Sequence, residues 1–249
     1  MISVIIPCHN QGKYLRTAVD SVMVQTRGDH EVVVVNDASS DNTEDVVNEV
    51  IAENPGRAVR LVNTEAQSGL SAARNLGISQ AQGNYMLPLD ADDFLHAEYL
   101  QRVGSVLDTT GVDIVSASRM NFGAVPRLVV TQACNPKLLP VYNQLGYCSM
   151  YRKTVWERAG GYSVNYPRMG YEDWEFWQRC AMCGCKFGNV PEILWYYRDR
   201  ADGMAHGALR DDEYLMARMV TRLPQCYAPK SVERAFRVIE ETQDEDSTG

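Results

Sequence analysis

Four short apolar runs, Ser3–Pro7, Glu31–Asn36, Val59–Asn63 and Tyr85–Leu89, alternate with helical patterns over Gly12–Gln25, Asn42–Glu53 and Leu70–Gln80. The run Glu-Val-Val-Val-Val-Asn is too continuously apolar to leave a wet face, and strands of that kind lie in sheets covered on both sides. Leu15, Val19, Val22 and Met23 recur at helical spacing, which gives the first helix an apolar face to lay on such a sheet. Ser39, Ser40 and Asp41 offer capping oxygens to the second helix. The β-α-β-α-β-α-β order implies right-handed crossovers and a mostly parallel central sheet flanked by helices. With 249 residues, 45% of them hydrophobic, the chain can bury one large core.

In open sheets of this kind, ligands bind outside the carboxyl ends of the strands. Three strand ends carry suggestive residues: Pro7-Cys8-His9-Asn10, Asn36-Asp37 and Asp90-Ala91-Asp92-Asp93. The last crowds three carboxylates, which raise one another's pKa and repel. A divalent cation held by one or two carboxylates plus substrate phosphates removes that cost. The competing reading is a polar turn with Asp93 as N-cap of a helix over Phe94–Leu100, which accounts for one aspartate but not three. The first strand is followed by neither Gly-x-Gly-x-x-Gly nor Gly-x-x-x-x-Gly-Lys-Ser/Thr, which argues against a dehydrogenase-type dinucleotide fold and a P-loop NTPase.

The second half is less regular. Strands are expected at Asp113–Ser118, Arg127–Gln132, Tyr147–Arg152 and within Lys186–Tyr197. Helices are expected at Ala97–Thr109, Thr154–Ala159, Tyr171–Cys183, Leu209–Arg222 and Lys230–Glu241. The acidic end, Glu240–Gly249, lacks large apolar residues and reads as disordered. Glu172 and Asp173 stand at the first turn of a helix beside Trp174, Phe176 and Trp177. Acids there compensate the helix dipole, or they present a general base flanked by rings that stack on a sugar or nucleobase; the local pattern leaves both open.

The net charge of −8 argues against a broad nucleic-acid surface. An anionic substrate would need cations supplied locally. No apolar stretch reaches the length of a bilayer span, and Met1–Pro7 lacks a signal peptide's basic flank and apolar centre. The expectation is a soluble, cytoplasmic chain, with peripheral membrane association left open. Seven cysteines, an odd number, favour free thiols; Cys180, Cys183 and Cys185 lack a fourth zinc ligand at the usual spacing.

Taken in order, Val-Ile-Ile-Pro-Cys-His-Asn, Val-Val-Asn-Asp-Ala-Ser-Ser-Asp, Gly-Leu-Ser-Ala-Ala-Arg-Asn, Leu-Asp-Ala-Asp-Asp and Gly-Tyr-Glu-Asp-Trp-Glu resemble the motifs of family 2 glycosyltransferases with the GT-A fold. The resemblance covers about residues 1–200. It implies a Rossmann-like GT-A domain over 1–222, with a nucleotide-sugar half (1–110) and a smaller acceptor half (111–222). A C-terminal helix and disordered tail would fill 223–249. By the same resemblance, Pro7, His9 and Asn10 line the nucleotide pocket and Asp37 contacts the donor's base. Arg74 neutralises phosphate or touches the base. Asp90 and Asp92 bind ribose and Mn2+ or Mg2+.

The implied reaction is inverting transfer of a sugar from a nucleoside-diphosphate sugar, in first place a UDP-sugar, to a saccharide, lipid-linked or other hydroxyl acceptor. Asp173 would be the general base and Glu172 would orient the acceptor. Metal and Arg74 would stabilise the departing diphosphate. The family's closing segment, Tyr-Arg-x-His-x-x-Ser-Met, is Tyr197-Arg198-Asp199-Arg200-Ala201-Asp202-Gly203-Met204 here, with arginine in the histidine position. Arg200 would then contact phosphate directly, and His206 would supply the imidazole to the metal. The alternatives are a nucleotidyltransferase on a similar sheet and a catalytically silent nucleotide-sugar-binding module.

Overall fold

The computed structural model describes residues 1–164, 170–201 and 203–247. The first half runs β1 (Ile2–Cys8), α1 (Gly12–Met23), β2 (His30–Asn36), α2 (Thr43–Glu53), β3 (Val59–Asn63), α3 (Leu70–Gln80) and β4 (Tyr85–Pro88). These strands lie in the order β3-β2-β1-β4 and are all parallel. Side chains alternate between the two faces: Val4, Ile6, Val32 and Val34 join the core under α1 and α2, whereas Ile5, Val33 and Val35 join the one on the side of α3. Gly77 is what lets α3 lie so close, since a Cβ there would stand 2.4 Å from Ile5 Cγ2.

Register fixes where the chemistry falls. Cys8 pairs with Asn36 and Asn36 with Asn63, so β1, β2 and β3 end level. The residues that follow them meet at one edge.

The second half comprises β5 (Phe94–Leu95), α4 (Tyr99–Thr109), β6 (Ile114–Gly123), β7 (Arg127–Val129), β8 (Met150–Arg152), α5 (Lys153–Ala159), α6 (Glu172–Met182) and β9 (Phe187–Asp199). It closes with α7 (Met204–Arg210), α8 (Asp212–Arg222) and α9 (Pro229–Ser247). The sheet continues β4-β8-β6-β9-β5, with β7 on β6. Here the pairing is mixed: β8 is antiparallel to β4 and β6, whereas β6 and β9 are parallel. The long β9 runs back towards the carboxyl end of β4 and carries Tyr197, Arg198 and Arg200 to the edge where Asp90 and Asp92 emerge.

Three expectations are corrected. Phe94 and Leu95 form a strand against Tyr196 and Trp195, not a helical turn, so Asp93 caps nothing and α4 begins at Tyr99. The single helix expected over Leu209–Arg222 is two helices that meet at Asp211, the last cap of one and the first of the other. The disorder expected from Glu240 gives way to helix through Ser247, while 248 and 249 lie outside the described residues. Val232, Ala235, Val238 and Ile239 pack on Tyr214, Leu215 and Val220 of α8. That packing nucleates α9, and continuing a formed helix adds one hydrogen bond per residue fixed.

Candidate active site

A cleft of about 290 Å3 opens at the carboxyl ends of β1, β2 and β4. Pro7, His9, Asp37, Asp90, Asp92 and Arg200 all line it. His9 Nδ1 lies 2.6 Å from the Asp37 carbonyl and Nε2 lies 3.1 Å from Asn10 Nδ2. A neutral imidazole with its proton on Nδ1 satisfies both contacts, donating to the carbonyl and accepting from the amide. Asn10 itself does not line the cleft. Its N–H donates to Ser39 Oγ and its Oδ1 accepts from Ser40 N, which ties the loop after β1 to the loop after β2. Asn10 and Ala38 both take φ of 53°. Such left-handed backbone is costly away from glycine and clusters at functional loops.

The Asp37 carboxylate, 3% exposed, accepts from Thr64 Oγ1, Ser68 N, Ser68 Oγ and Gly69 N at 2.7–3.1 Å. Burial pushes its pKa up, but these donors outweigh burial and hold the carboxyl below its ordinary range. Asp37 thereby anchors the loop before α3 as one wall of the cleft.

Arg74 is not open to a phosphate as the sequence led one to expect. It is 1% exposed and donates from Nη2 to Asp90 Oδ1 at 2.8 Å and from Nη1 to Glu172 Oε1 at 2.9 Å. The rings of Tyr147 and Tyr162 flank its guanidinium. Burial raises the Asp90 pKa and the Arg74 charge opposes that shift. Asp93 is buried too. Its carboxyl accepts from Tyr147 Oη at 2.5 Å and from Arg198 N at 2.6 Å. Burial first, then the charges of Asp90 and Asp92, push its pKa well up. Asp92 is the member of the trio that faces Arg200, whose Nη1 lies 3.2 Å from Asp92 Oδ2.

A second cavity, of about 350 Å3, adjoins the first and shares Leu70, Asp90 and Tyr197 with it. Glu172 and Asp173 line it, together with Asn143, Tyr147 and Tyr171. Tyr171, at φ 63°, turns the chain into α6. Asp173 Oδ1 accepts from Trp174 N at 2.7 Å, and among the described residues Oδ2 has only a long contact of 3.4 Å with Asn143 Nδ2. Burial and the neighbouring Glu172 charge raise the Asp173 pKa to about 7. A carboxylate titrating there suits proton abstraction near neutral pH. Glu175, the next acid of the helix, is committed elsewhere: it accepts from Ser163 Oγ at 2.6 Å and pairs with Arg179.

Among the described residues, no three His, Cys, Asp or Glu side chains come together as a protein cage for a metal. The cleft fits the other way of holding Mg2+ or Mn2+, in which one or two carboxylates act together with substrate phosphate oxygens. Asp92 and Asp90 are the carboxylates on its wall. His206 is not among the residues that line the cleft. Its Nε2 lies 2.8 Å from Asp199 Oδ1, so the imidazole expected at the metal is engaged on another carboxylate. Asp202 lies outside the described residues. Sequence reasoning missed Tyr147 and Arg198. A lone tyrosine at the start of an expected strand carries no signal, and Arg198 reaches the site through the register of β9. Among the described residues, no helix is long and apolar enough to cross a membrane.

A family model described as glycosyl transferase family 2 matches residues 3–159. A second, described as the N-terminal domain of galactosyltransferase, matches residues 127–200. An uncharacterized glycosyltransferase from Nostoc sp. is 30% identical over 219 residues, which cover 79% of this chain and 64% of the relative. The chain thus spans less than two-thirds of that relative's length. Among solved structures, S. aureus TarS in complex with UDP-GlcNAc aligns with a TM-score of 0.73 at 19% identity, covering 88% of this chain and 66% of TarS. A mannosyltransferase from Pyrobaculum calidifontis in complex with GDP-Man and Mn2+ aligns with a TM-score of 0.71 at 20% identity, covering 95% and 68%. The architecture is the GT-A fold.

Proposed function

The chain belongs to glycosyl transferase family 2, and on that premise we propose that it moves a sugar from a nucleoside-diphosphate sugar, first a UDP-sugar, to a hydroxyl of a saccharide or lipid-linked acceptor. The observation that carries this reading is the shared wall of the two cavities. Asp90 lines both, so a donor in the first would present its sugar towards the second, where Asp173 waits.

Each residue then has a physical task. Pro7, His9 and the loop held by Asp37 form the walls for the nucleoside. Asp90 and Asp92, with the donor's phosphates, would hold Mn2+ or Mg2+; the neighbour's complex with GDP-Man and Mn2+ supports that choice. The metal would supply positive charge against the charge that develops on the departing diphosphate. Arg198 and Arg200 line the same cleft and add cations there, held in place by contacts with Asp92. Asp173, with Oδ2 almost unengaged, takes the proton of the attacking hydroxyl. Attack from the side opposite the leaving group inverts the anomeric carbon in one displacement. Glu172, held by Arg74, positions α6 and so fixes Asp173 in reach.

The test is a thermal-shift series with UDP and GDP, each with Mn2+ and with excess chelator. Specific binding raises the melting temperature, with a stabilisation that grows as the logarithm of ligand over Kd. The proposal expects one nucleotide to stabilise the chain, and to do so chiefly when the ion is present. No stabilisation by either nucleotide under any condition would contradict it.

A further inference from the structure

A third cavity, of about 260 Å3, opens off the one that holds Asp173 and shares Arg119, Asn143, Leu145 and Gly146 with it. Its walls include two guanidiniums, Arg119 and Arg127. In the antiparallel pair β6–β7, Arg119 stands opposite Val129 and Asn121 opposite Arg127, which places both arginines on one face of the hairpin. The Arg119 guanidinium lies against Trp195 and Tyr197, with each ring centroid 5.2 Å away, and its Nε donates to Asn121 Oδ1 at 3.0 Å. Neither arginine has a carboxylate partner within ion-pair distance among the described residues, and the two terminal nitrogens of Arg119 have no described acceptor.

Gly146 keeps that group uncovered. A Cβ there would stand 3.5 Å from Arg119 Nη1 and 2.7 Å from Trp195 Cζ2. A chain of net charge −8 that neutralises Arg74 twice over thus has, among the described residues, two cations without a carboxylate partner in one cavity beside the base. Arginine's planar fork matches phosphate and carboxylate oxygens, and such charge-assisted bonds are stronger than neutral ones.

We propose that this cavity is an acceptor subsite for an anionic group, a phosphate or carboxylate, borne by the saccharide whose hydroxyl Asp173 deprotonates. The inference rests on the glycosyl-transfer reading and adds the acceptor's charge to it. Tyr197, which lines the cavity of Asp173, gives the sugar an aromatic edge next to the cations.

Calorimetric titration tests it, with methyl glucoside, glucuronic acid and glucose 6-phosphate as probes, with and without saturating UDP and Mn2+. At least one anionic probe should bind about tenfold or more tightly than the neutral one. Preference for glucose 6-phosphate assigns a phosphate and preference for glucuronic acid a carboxylate. Arg127→Gln, at an exposed position, should abolish most of that preference while leaving the melting temperature and UDP affinity unchanged; Arg119→Gln should act in the same direction. Equal binding of the three probes would overturn the inference, as would an anion preference that survives Arg127→Gln. Failure of UDP to bind counts against the transfer reading instead, because the probe titrations without UDP decide the subsite by themselves.

Discussion

Arg74 Nη1 donates to Glu172 Oε1 at 2.9 Å across a buried interface, and the same guanidinium holds Asp90. One side chain therefore links the strand end that lines the donor cleft to the helix that presents Asp173. Two carboxylates from opposite halves of the chain share one positive charge. On the proposed reading, placement of the base relative to the donor depends on that contact.

Arg74→Met keeps roughly the volume and removes the charge, leaving Asp90 and Glu172 buried without compensation. Breaking a buried pair in this way typically destabilises by about 3–5 kcal/mol. Equilibrium urea unfolding measures it. A loss under about 1 kcal/mol would mean the pair is far more hydrated than its burial implies.

Asp92→Ala should uncouple nucleotide binding from the metal. In the wild type, Mn2+ is expected to tighten UDP at least about tenfold relative to excess chelator, and in the variant that difference should vanish. Equal UDP affinity in the wild type with and without chelator would remove the metal from this account.

His206→Ala should leave the same coupling within about twofold of wild type, because the imidazole faces Asp199 and not the aspartate pair. Loss of the metal effect in this variant would return His206 to the metal.

Asp173 makes stability depend on pH in a definite direction. Its folded pKa of about 7 lies above the ordinary 3.8, so the folded state binds a proton that the unfolded chain releases. The stability this contributes is complete below pH 3.8 and lost as pH rises through 7. Asp173→Asn should therefore melt higher than wild type at pH 8, by a free energy of about 1–3 kcal/mol once screening is allowed for. The two should converge near pH 3.5. A lower melting point for the variant at pH 8 would contradict the raised carboxyl pKa described above.

The first four strands and their helices were legible because buried parallel strands leave continuous apolar runs, and the ends of those runs carry His9, Asp37, Asp90 and Asp92, which line one cleft. The partners of charged groups were not legible. Nothing local distinguishes Arg74 as an internal counter-ion from Arg74 as a phosphate ligand, since Glu172 lies 98 positions away. Asp93 reads as a helix cap because Tyr147 and Arg198, which occupy its carboxyl, arrive from distant segments. His206 and Asn10 were placed at the ligand by motif position; their hydrogen bonds to Asp199 and to the Ser39–Ser40 loop are set by tertiary geometry.

The central claim is that Asp173 is the base of a sugar transfer whose donor lies in the cleft of Asp90 and Asp92. Donor turnover by Asp173→Asn, measured alongside UDP binding, tests it most directly: wild type and variant are compared for release of UDP from a bound UDP-sugar, to water or to an added acceptor. The account predicts UDP affinity close to wild type and a rate lower by about 100- to 10,000-fold. In the wild type, the rate should fall about tenfold per pH unit below 7. A variant that turns over the donor at the wild-type rate, with the same pH profile, would contradict it.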